Sequence, residues 1–198
     1  MNPATQEKLH QEINSVISKM AAEARAADPA ASIDPIDLVT VESLNRFEYL
    51  NACLNESLRI YSPATFTERF VGRDMDLKTD DDRVSFSVKK GDIIHFPIYS
   101  MHRDAEQFPD PEAFRPERFL DDPKHHKYAF MPFGQGPRKC IAESLALAEA
   151  KLALLHLVRL YRLGVAPETT NPPEFFYQSQ ALIPKNLILK VEKRIPVC

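Results

Sequence analysis

Residues 133–142 of this 198-residue chain read Phe-Gly-Gln-Gly-Pro-Arg-Lys-Cys-Ile-Ala, and no other segment limits the fold as much. The chain holds five glycines, and two of them, Gly134 and Gly136, fall here within three residues. Such a pair marks a tight loop whose backbone leaves the conformations open to other residues. Pro137 stiffens the loop and removes one N–H donor. Arg138 and Lys139 then precede Cys140. Residues 141–163 contain neither proline nor glycine, and Gly164 follows, which predicts a long helix ending at 163 with that glycine just past its end. A cysteine at the start of such a helix faces unpaired N–H groups that stabilise negative charge on sulfur. Thiolates serve as nucleophiles or as metal ligands, and an ordinary buried cysteine is the third reading. A nucleophile needs a histidine base, and none of the six histidines sits in a recognisable partner pattern. A phosphate loop is excluded, because the spacing departs from the Walker pattern and Pro137 lacks a donor.

The rest of the chain alternates between two hydrophobic periods. Residues 3–24 carry Leu9, Ile13, Val16, Ile17 and Met20 on one helical face, and 25–35 read as a linker. A second helix is expected over 45–61, with Phe47, Leu50, Leu54, Leu58 and Tyr61 as its stripe and Ser62-Pro63 as its stop. Alternation then takes over. A strand is expected over 65–71, and a hairpin of 84–88 with 92–96 around Lys90-Gly91. Between Phe108 and Pro137 come Pro109, Pro111, Pro116, Pro123 and Pro132, a long ordered loop of the kind that usually carries function. Strands return at 175–182 and 187–191 around the turn Pro184-Lys185-Asn186. No internal repeat is present. The fold class is mainly α with small antiparallel β-sheets.

Charge and cysteine usage exclude several functions. With 25 basic and 28 acidic side chains the net charge is −3, which leaves no excess cation for a strongly basic nucleic-acid binder. At 44% apolar and 27% charged residues the composition is that of a globular domain. Cys53, Cys140 and Cys198 are too few and too scattered for a disulfide framework, which fits a reducing or cytosol-facing setting. Apolar runs fall short of the ~18 residues that span a bilayer, and Met1 leads straight into a polar helical pattern, so the chain reads as soluble and intracellular. His102, His125 and His126 match no zinc spacing with Cys140 and read as solvent-exposed loop histidines.

Glu56 and Arg59, three apart on the second helix, would be an ordinary exposed pair in isolation. Phe114-Arg115-Pro116-Glu117-Arg118-Phe119 would be a rigid loop with charged decoration. In this order, and followed by the 133–142 loop, the three segments resemble the C-terminal part of a cytochrome P-450, the haem-thiolate monooxygenase family. The resemblance runs nearly the whole length. Thr67-Glu68-Arg69, Met101-His102-Arg103-Asp104 and Pro184-Lys185-Asn186 are most similar to the microsomal group that holds thromboxane synthase and the broad xenobiotic oxidases. It implies that residues 1–198 are the C-terminal part of a single domain whose upstream half is absent.

The resemblance also implies roles. Cys140 becomes the axial thiolate ligand, the metal-binding residue, to the iron of haem b. Phe133 packs beside it, and Gly134 and Gly136 admit the loop close to the porphyrin. Arg138 and Arg69 bind haem propionates. Glu56, Arg59 and Arg118 form a buried structural triad that fixes the loop, and Lys139 faces an acidic electron donor. Residues 62–66 and 178–182 line the substrate. Ala142 stands where the family usually has glycine. No catalytic residue is implied within this chain, because the acid–alcohol pair for oxygen activation belongs to the absent half. The implied activity is insertion of one atom of dioxygen into a lipophilic organic substrate, with electrons from NADPH-cytochrome reductase. The implied setting is the cytosolic face of the endoplasmic reticulum membrane, reached through an absent N-terminal anchor. Two alternatives stand beside it: peroxide isomerisation of the thromboxane-synthase type, and a non-catalytic truncated fragment. The 198-residue chain by itself is expected to be inactive.

Overall fold

Asn2 opens the first helix: its Oδ1 accepts the Thr5 N–H at 3.1 Å, and Pro3 presets the helical φ where an N–H would lack a partner. The computed structural model describes residues 2–30, 34–79, 83–120, 124–170, 173–178 and 181–194. Pro123, Cys198 and residues 179–180 of the expected tail strand lie outside them. Helix α1 (Pro3–Ala27) continues past residue 24, so the start of the expected linker is its last turn. Short 3-10 turns at Pro35–Leu38 and Glu42–Arg46 follow. Phe47, at φ −98° and ψ 81°, breaks the helical path, and α2 (Glu48–Ile60) therefore begins three residues later than 45.

Helix α2 has no cap of its own. Glu12, from α1, supplies one across the interface: Oε1 accepts the Tyr49 N–H at 2.6 Å and Oε2 the Leu50 N–H at 2.9 Å. A carboxylate there also complements the positive end of the helix dipole.

The expected hairpin at 84–96 does not form. Strands β1 (Thr67–Phe70), β2 (Met75–Lys78), β3 (Ser85–Val88) and β4 (Ile93–Phe96) pair as β2 with β3 and β1 with β4, all antiparallel, one ladder nested within the other. Lys90-Gly91 does turn, with Gly91 at φ 98°, but it folds the chain onto Val71. The Gly91 N–H donates to the Val71 carbonyl at 2.8 Å and the Val71 N–H to the Asp92 carbonyl at 2.9 Å, which delivers β4 to β1.

One turn of helix, α3 (Ile98–Met101), leads into the proline-rich stretch, whose described residues are irregular apart from 3-10 turns at Pro116–Phe119 and Gly136–Arg138. Helix α4 (Glu143–Leu160) is shorter at both ends than expected. Tyr161 is extended (φ −134°, ψ 150°), and β5 (Tyr161–Val165) contains Gly164 within the strand, opposite Lys190, so that glycine is not a helix cap. Long-range partners decide this. The Gln6 side chain accepts the Leu163 N–H at 2.7 Å and donates to its carbonyl at 2.9 Å, and residues 189–193 pair along the other edge.

The tail is also rearranged. Strands β6 (Phe175–Gln178) and β7 (Ala181–Pro184) pair with each other, while β8 (Leu189–Lys193) pairs with β5. The turn at residues 184–186 thus separates two ladders. The core lies where three helices meet: Leu9, Ile13, Ile17 and Met20 of α1, Leu50 and Cys53 of α2, and Leu155 and Val158 of α4, with Leu44 and Phe47 sealing one end. Among the described residues, no helix is long and apolar enough to cross a membrane.

Candidate functional site

Two buried charges sit at the middle of the molecule. Glu56 and Arg59, one helical turn apart on α2, are both fully buried. Arg59 donates Nε to Glu56 Oε2 at 2.8 Å and Nη2 to Oε1 at 2.9 Å, a two-pronged pair. Arg118, from the 3-10 turn at Pro116–Phe119, donates Nε to the same Oε1 at 3.0 Å, and the Arg115 backbone N–H adds a fourth bond at 2.8 Å. The remaining guanidinium donors go to carbonyls. Arg59 reaches those of His102 at 2.9 Å and Ala113 at 3.3 Å, and Arg118 reaches that of Pro109 at 3.2 Å. Glu56, Arg59 and Arg118 are thus brought together, and they tie α2 to three separate points of the proline-rich stretch.

His102 corrects the reading of exposed loop histidines. It is fully buried, one residue past α3, with its ring 5.2 Å from that of Phe130. Its Nε2 accepts the Met131 N–H at 2.9 Å. Burial pushes its pKa down to about 4, with the neighbouring Arg59 and Arg103 adding to the effect, so the ring is neutral. His125 is half-buried against Phe108, and His126 alone of the three is exposed. Among the described residues no group of three or more histidines, cysteines or carboxylates could hold a metal.

The loop ahead of α4 is held by two short backbone bonds. The Gly134 N–H donates to the Met131 carbonyl at 3.0 Å, and the Cys140 N–H to the Phe133 carbonyl at 2.9 Å. Gly134 and Gly136 lie at φ 73° and 75°, a left-handed backbone that costs other residues about 1–2 kcal/mol. No atom lies within 4 Å of the side chain either would carry. Cys140 is exposed and sits three residues before α4, not at its first turn, because Ile141 and Ala142 form a turn ahead of the helix, with Ala142 (φ −93°, ψ 9°) outside the helical conformation. Phe133 is half-buried, Arg138 exposed and Lys139 paired with Glu143 at 2.5 Å. Arg69, on β1, donates Nη1 to Thr67 Oγ1 at 3.2 Å and to the Glu68 carbonyl at 2.7 Å.

Cys53 is a different kind of cysteine. It is buried in the core, and burial, with Glu12 and Glu117 nearby, pushes its thiol up to about 12. It is a packing residue.

The family model described as "Cytochrome P450" matches residues 1–191. The chain belongs to the cytochrome P-450 family. Similar proteins include "Probable cytochrome P450 9h1" of Drosophila melanogaster, 34% identical over 195 residues that cover 98% of this chain and 35% of that protein. "Cytochrome P450 3A15" of Cavia porcellus is 33% identical, covering 98% and 34%. "Lithocholate 6-beta-hydroxylase" of Mesocricetus auratus is 35% identical over 196 residues, with the same coverage. The chain spans about a third of the length of these relatives, and the helices with small antiparallel sheets are those of part of a P-450 fold.

Two residues that hold these elements in place leave little or no signal in the sequence. Nothing in the spacing of Glu12 announces that it caps α2, because the contact joins residues 37 positions apart. His102 left a trace, its place in the Met101-His102-Arg103-Asp104 segment, but its burial depends on Phe130 and Met131 folding over it.

Proposed function

We propose that this chain holds a haem b as part of a monooxygenase, with Cys140 as the thiolate ligand of the iron. The observation that carries the reading is an exposed thiol at the end of a loop whose two left-handed glycines leave open space around them. A side chain at either glycine would occupy that space.

The surrounding residues fit the group. Ile141 is fully exposed and Leu145 largely so, which gives a flat apolar ring a surface to cover beside the thiol. Arg138 is exposed and makes no side-chain bond among the described residues, so its guanidinium is available to a propionate. Arg69 is part-committed to β1 and keeps further N–H groups in its fork for a second propionate. Phe133 would pack beside the ligand. The protonated state of buried Cys53 speaks against that residue as the ligand.

When bound, the haem supplies one-electron and dioxygen chemistry, and a thiolate ligand favours O–O cleavage. The chain's own part is to present sulfur and to keep its loop from collapsing. Glu56, Arg59 and Arg118 do the latter by anchoring the proline-rich stretch to α2. Lys139, a candidate for an acidic electron donor, has Glu143 against it, so its charge is partly offset within the chain.

For the longer protein, of which residues 1–198 would be the C-terminal part of one domain, the reading is insertion of one atom of dioxygen into a lipophilic substrate. The name of the Mesocricetus auratus relative, a lithocholate hydroxylase, supports that substrate class. Electrons would come from NADPH-cytochrome reductase at the cytosolic face of the endoplasmic reticulum. The test is the ferrous carbonyl spectrum of the haem-loaded protein and of Cys140→Ser and Cys53→Ser. A thiolate-type band lost only in Cys140→Ser is expected. Its persistence in Cys140→Ser overturns the assignment.

A further inference from the structure

We propose that His102 is a positioning residue for Cys140, the joint through which the buried Glu56–Arg59 pair sets the shape of the thiol-bearing loop. The inference rests on the reading of Cys140 as the iron ligand. Its physical basis is an unbroken series of hydrogen bonds. Glu56 accepts from Arg59, and Arg59 Nη1 donates to the His102 carbonyl at 2.9 Å. The His102 ring accepts the Met131 N–H at 2.9 Å, and the Met131 carbonyl accepts the Gly134 N–H at 3.0 Å. The Cys140 N–H then closes the loop on the Phe133 carbonyl, one residue before Gly134. One residue, held by its backbone on the α2 side and by its ring on the loop side, links the two.

The choice of histidine follows from the acceptor. An Nε2 that receives an N–H carries no proton, so the ring is the Nδ1–H tautomer. Nδ1 is buried beside the carbonyls of Arg59 and Leu58 at the end of α2, without a well-formed hydrogen bond among the described residues. A buried donor with imperfect hydrogen bonds is costly, and a side chain needed only for volume would be leucine or phenylalanine, which carry no such donor. What histidine adds is an acceptor at ring distance from the backbone. Without it the Met131 N–H is itself stranded in the interior. Phe130, stacked obliquely on the ring, fixes its plane, and the low pKa keeps the acceptor lone pair available at ordinary pH.

The test compares His102→Leu, which keeps volume and removes the acceptor, with His102→Gln, whose Oε1 reaches about where Nε2 lies. Two readouts are taken on haem-loaded protein: amide hydrogen exchange of peptides covering residues 129–140 and α2, and the ferrous carbonyl band. His102→Leu is expected to speed exchange at 129–140 by roughly tenfold or more, with α2 peptides little changed, and to convert part of the band from the thiolate type. His102→Gln is expected to restore both. Wild-type exchange and band in His102→Leu overturn the proposal, and so does a glutamine variant as damaged as the leucine one. If His102→Leu does not fold, the glutamine variant decides by the same two readouts. Cys140→Ser, run alongside, separates the two ideas: a thiolate band surviving there defeats the ligand assignment, whatever His102 does.

Discussion

Replacing Glu56 by alanine is the sharpest perturbation the interior offers. The carboxylate accepts four hydrogen bonds: two from Arg59, one from Arg118 and one from the Arg115 backbone. Its removal leaves the Arg59 guanidinium, with no exposed surface, facing the carbonyls of His102 and Ala113 and the Phe108 ring, with no counter-charge from Glu56. Arg118, 8% exposed, keeps carbonyl contacts as well but loses its counter-charge. Hydrogen bonds to charged groups contribute about 1.5–3 kcal/mol each, so four of them would suggest a larger sum than is realised, because such networks are not additive. The better guide is the loss on breaking a buried ion pair, about 3–5 kcal/mol. Against a total stability of about 5–15 kcal/mol, that is about a fifth of the fold or more. The control is Lys8→Ala, which breaks a 2.7 Å pair with Glu117 in which both side chains are half exposed, and which should cost under about 1 kcal/mol. Urea unfolding of both variants, followed by circular dichroism at constant slope, reads the difference. Glu56→Gln, which keeps shape and loses charge, should fall between them and serves if the alanine variant does not fold. A midpoint for Glu56→Ala no lower than that of Lys8→Ala would show that the triad carries no more than a surface pair.

Three further outcomes are expected. Burial lowers the His102 pKa from 6.5 to about 4, so protons favour the unfolded chain; its contribution is full above pH 6.5, declines as pH falls toward 4, and amounts to about 3 kcal/mol. Urea midpoints across that range should drop less in His102→Gln than in the parent, and equal slopes would contradict the assignment. Glu12→Ala should cost about 1–2 kcal/mol by uncapping α2, measured as a fall in thermal midpoint, and an unchanged midpoint would mean water replaces the cap freely. In haem-free protein at pH 8, iodoacetamide should modify exposed Cys140 while sparing Cys53, whose thiolate fraction near a pKa of 12 is about one in ten thousand; peptide masses showing Cys53 labelled first would refute its packing role.

Local chemistry was enough to read much of this protein from its residues. The 3.6-residue period of Leu9, Ile13, Ile17 and Met20 predicts the buried face of α1, and all four are core residues. The stripe Phe47, Leu50, Leu54, Leu58 and Tyr61 holds for α2 only in part: Phe47 and Leu50 are buried, Leu54 and Leu58 half-buried and Tyr61 exposed. Gly134 and Gly136 mark the loop before Cys140 because left-handed backbone is a property of the residue itself. The order of the Glu56, Arg118 and Cys140 segments points to the family, since each motif is written within a few consecutive residues.

What the tertiary structure alone decides are pairings between distant residues. Periodicity predicts that 84–96 alternates, but not that β4 returns to β1; the contact of Gly91 with Val71 sets that. Helix propensity carries α4 on to residue 163, yet Gln6 and β8 draw residues 161–165 into a strand, because long-range backbone bonds outweigh a few tenths of a kcal/mol of local preference. His102 is the clearest case. A histidine in a polar turn looks exposed in sequence, and only Phe130 closing over it and Met131 donating to it make it a buried acceptor. The sequence determines which segments are helix, strand and loop over most of the chain, since those choices rest on neighbours. The tertiary structure determines which strands meet, where α4 stops and what His102 does, since a hydrogen bond across thirty residues leaves no period to read.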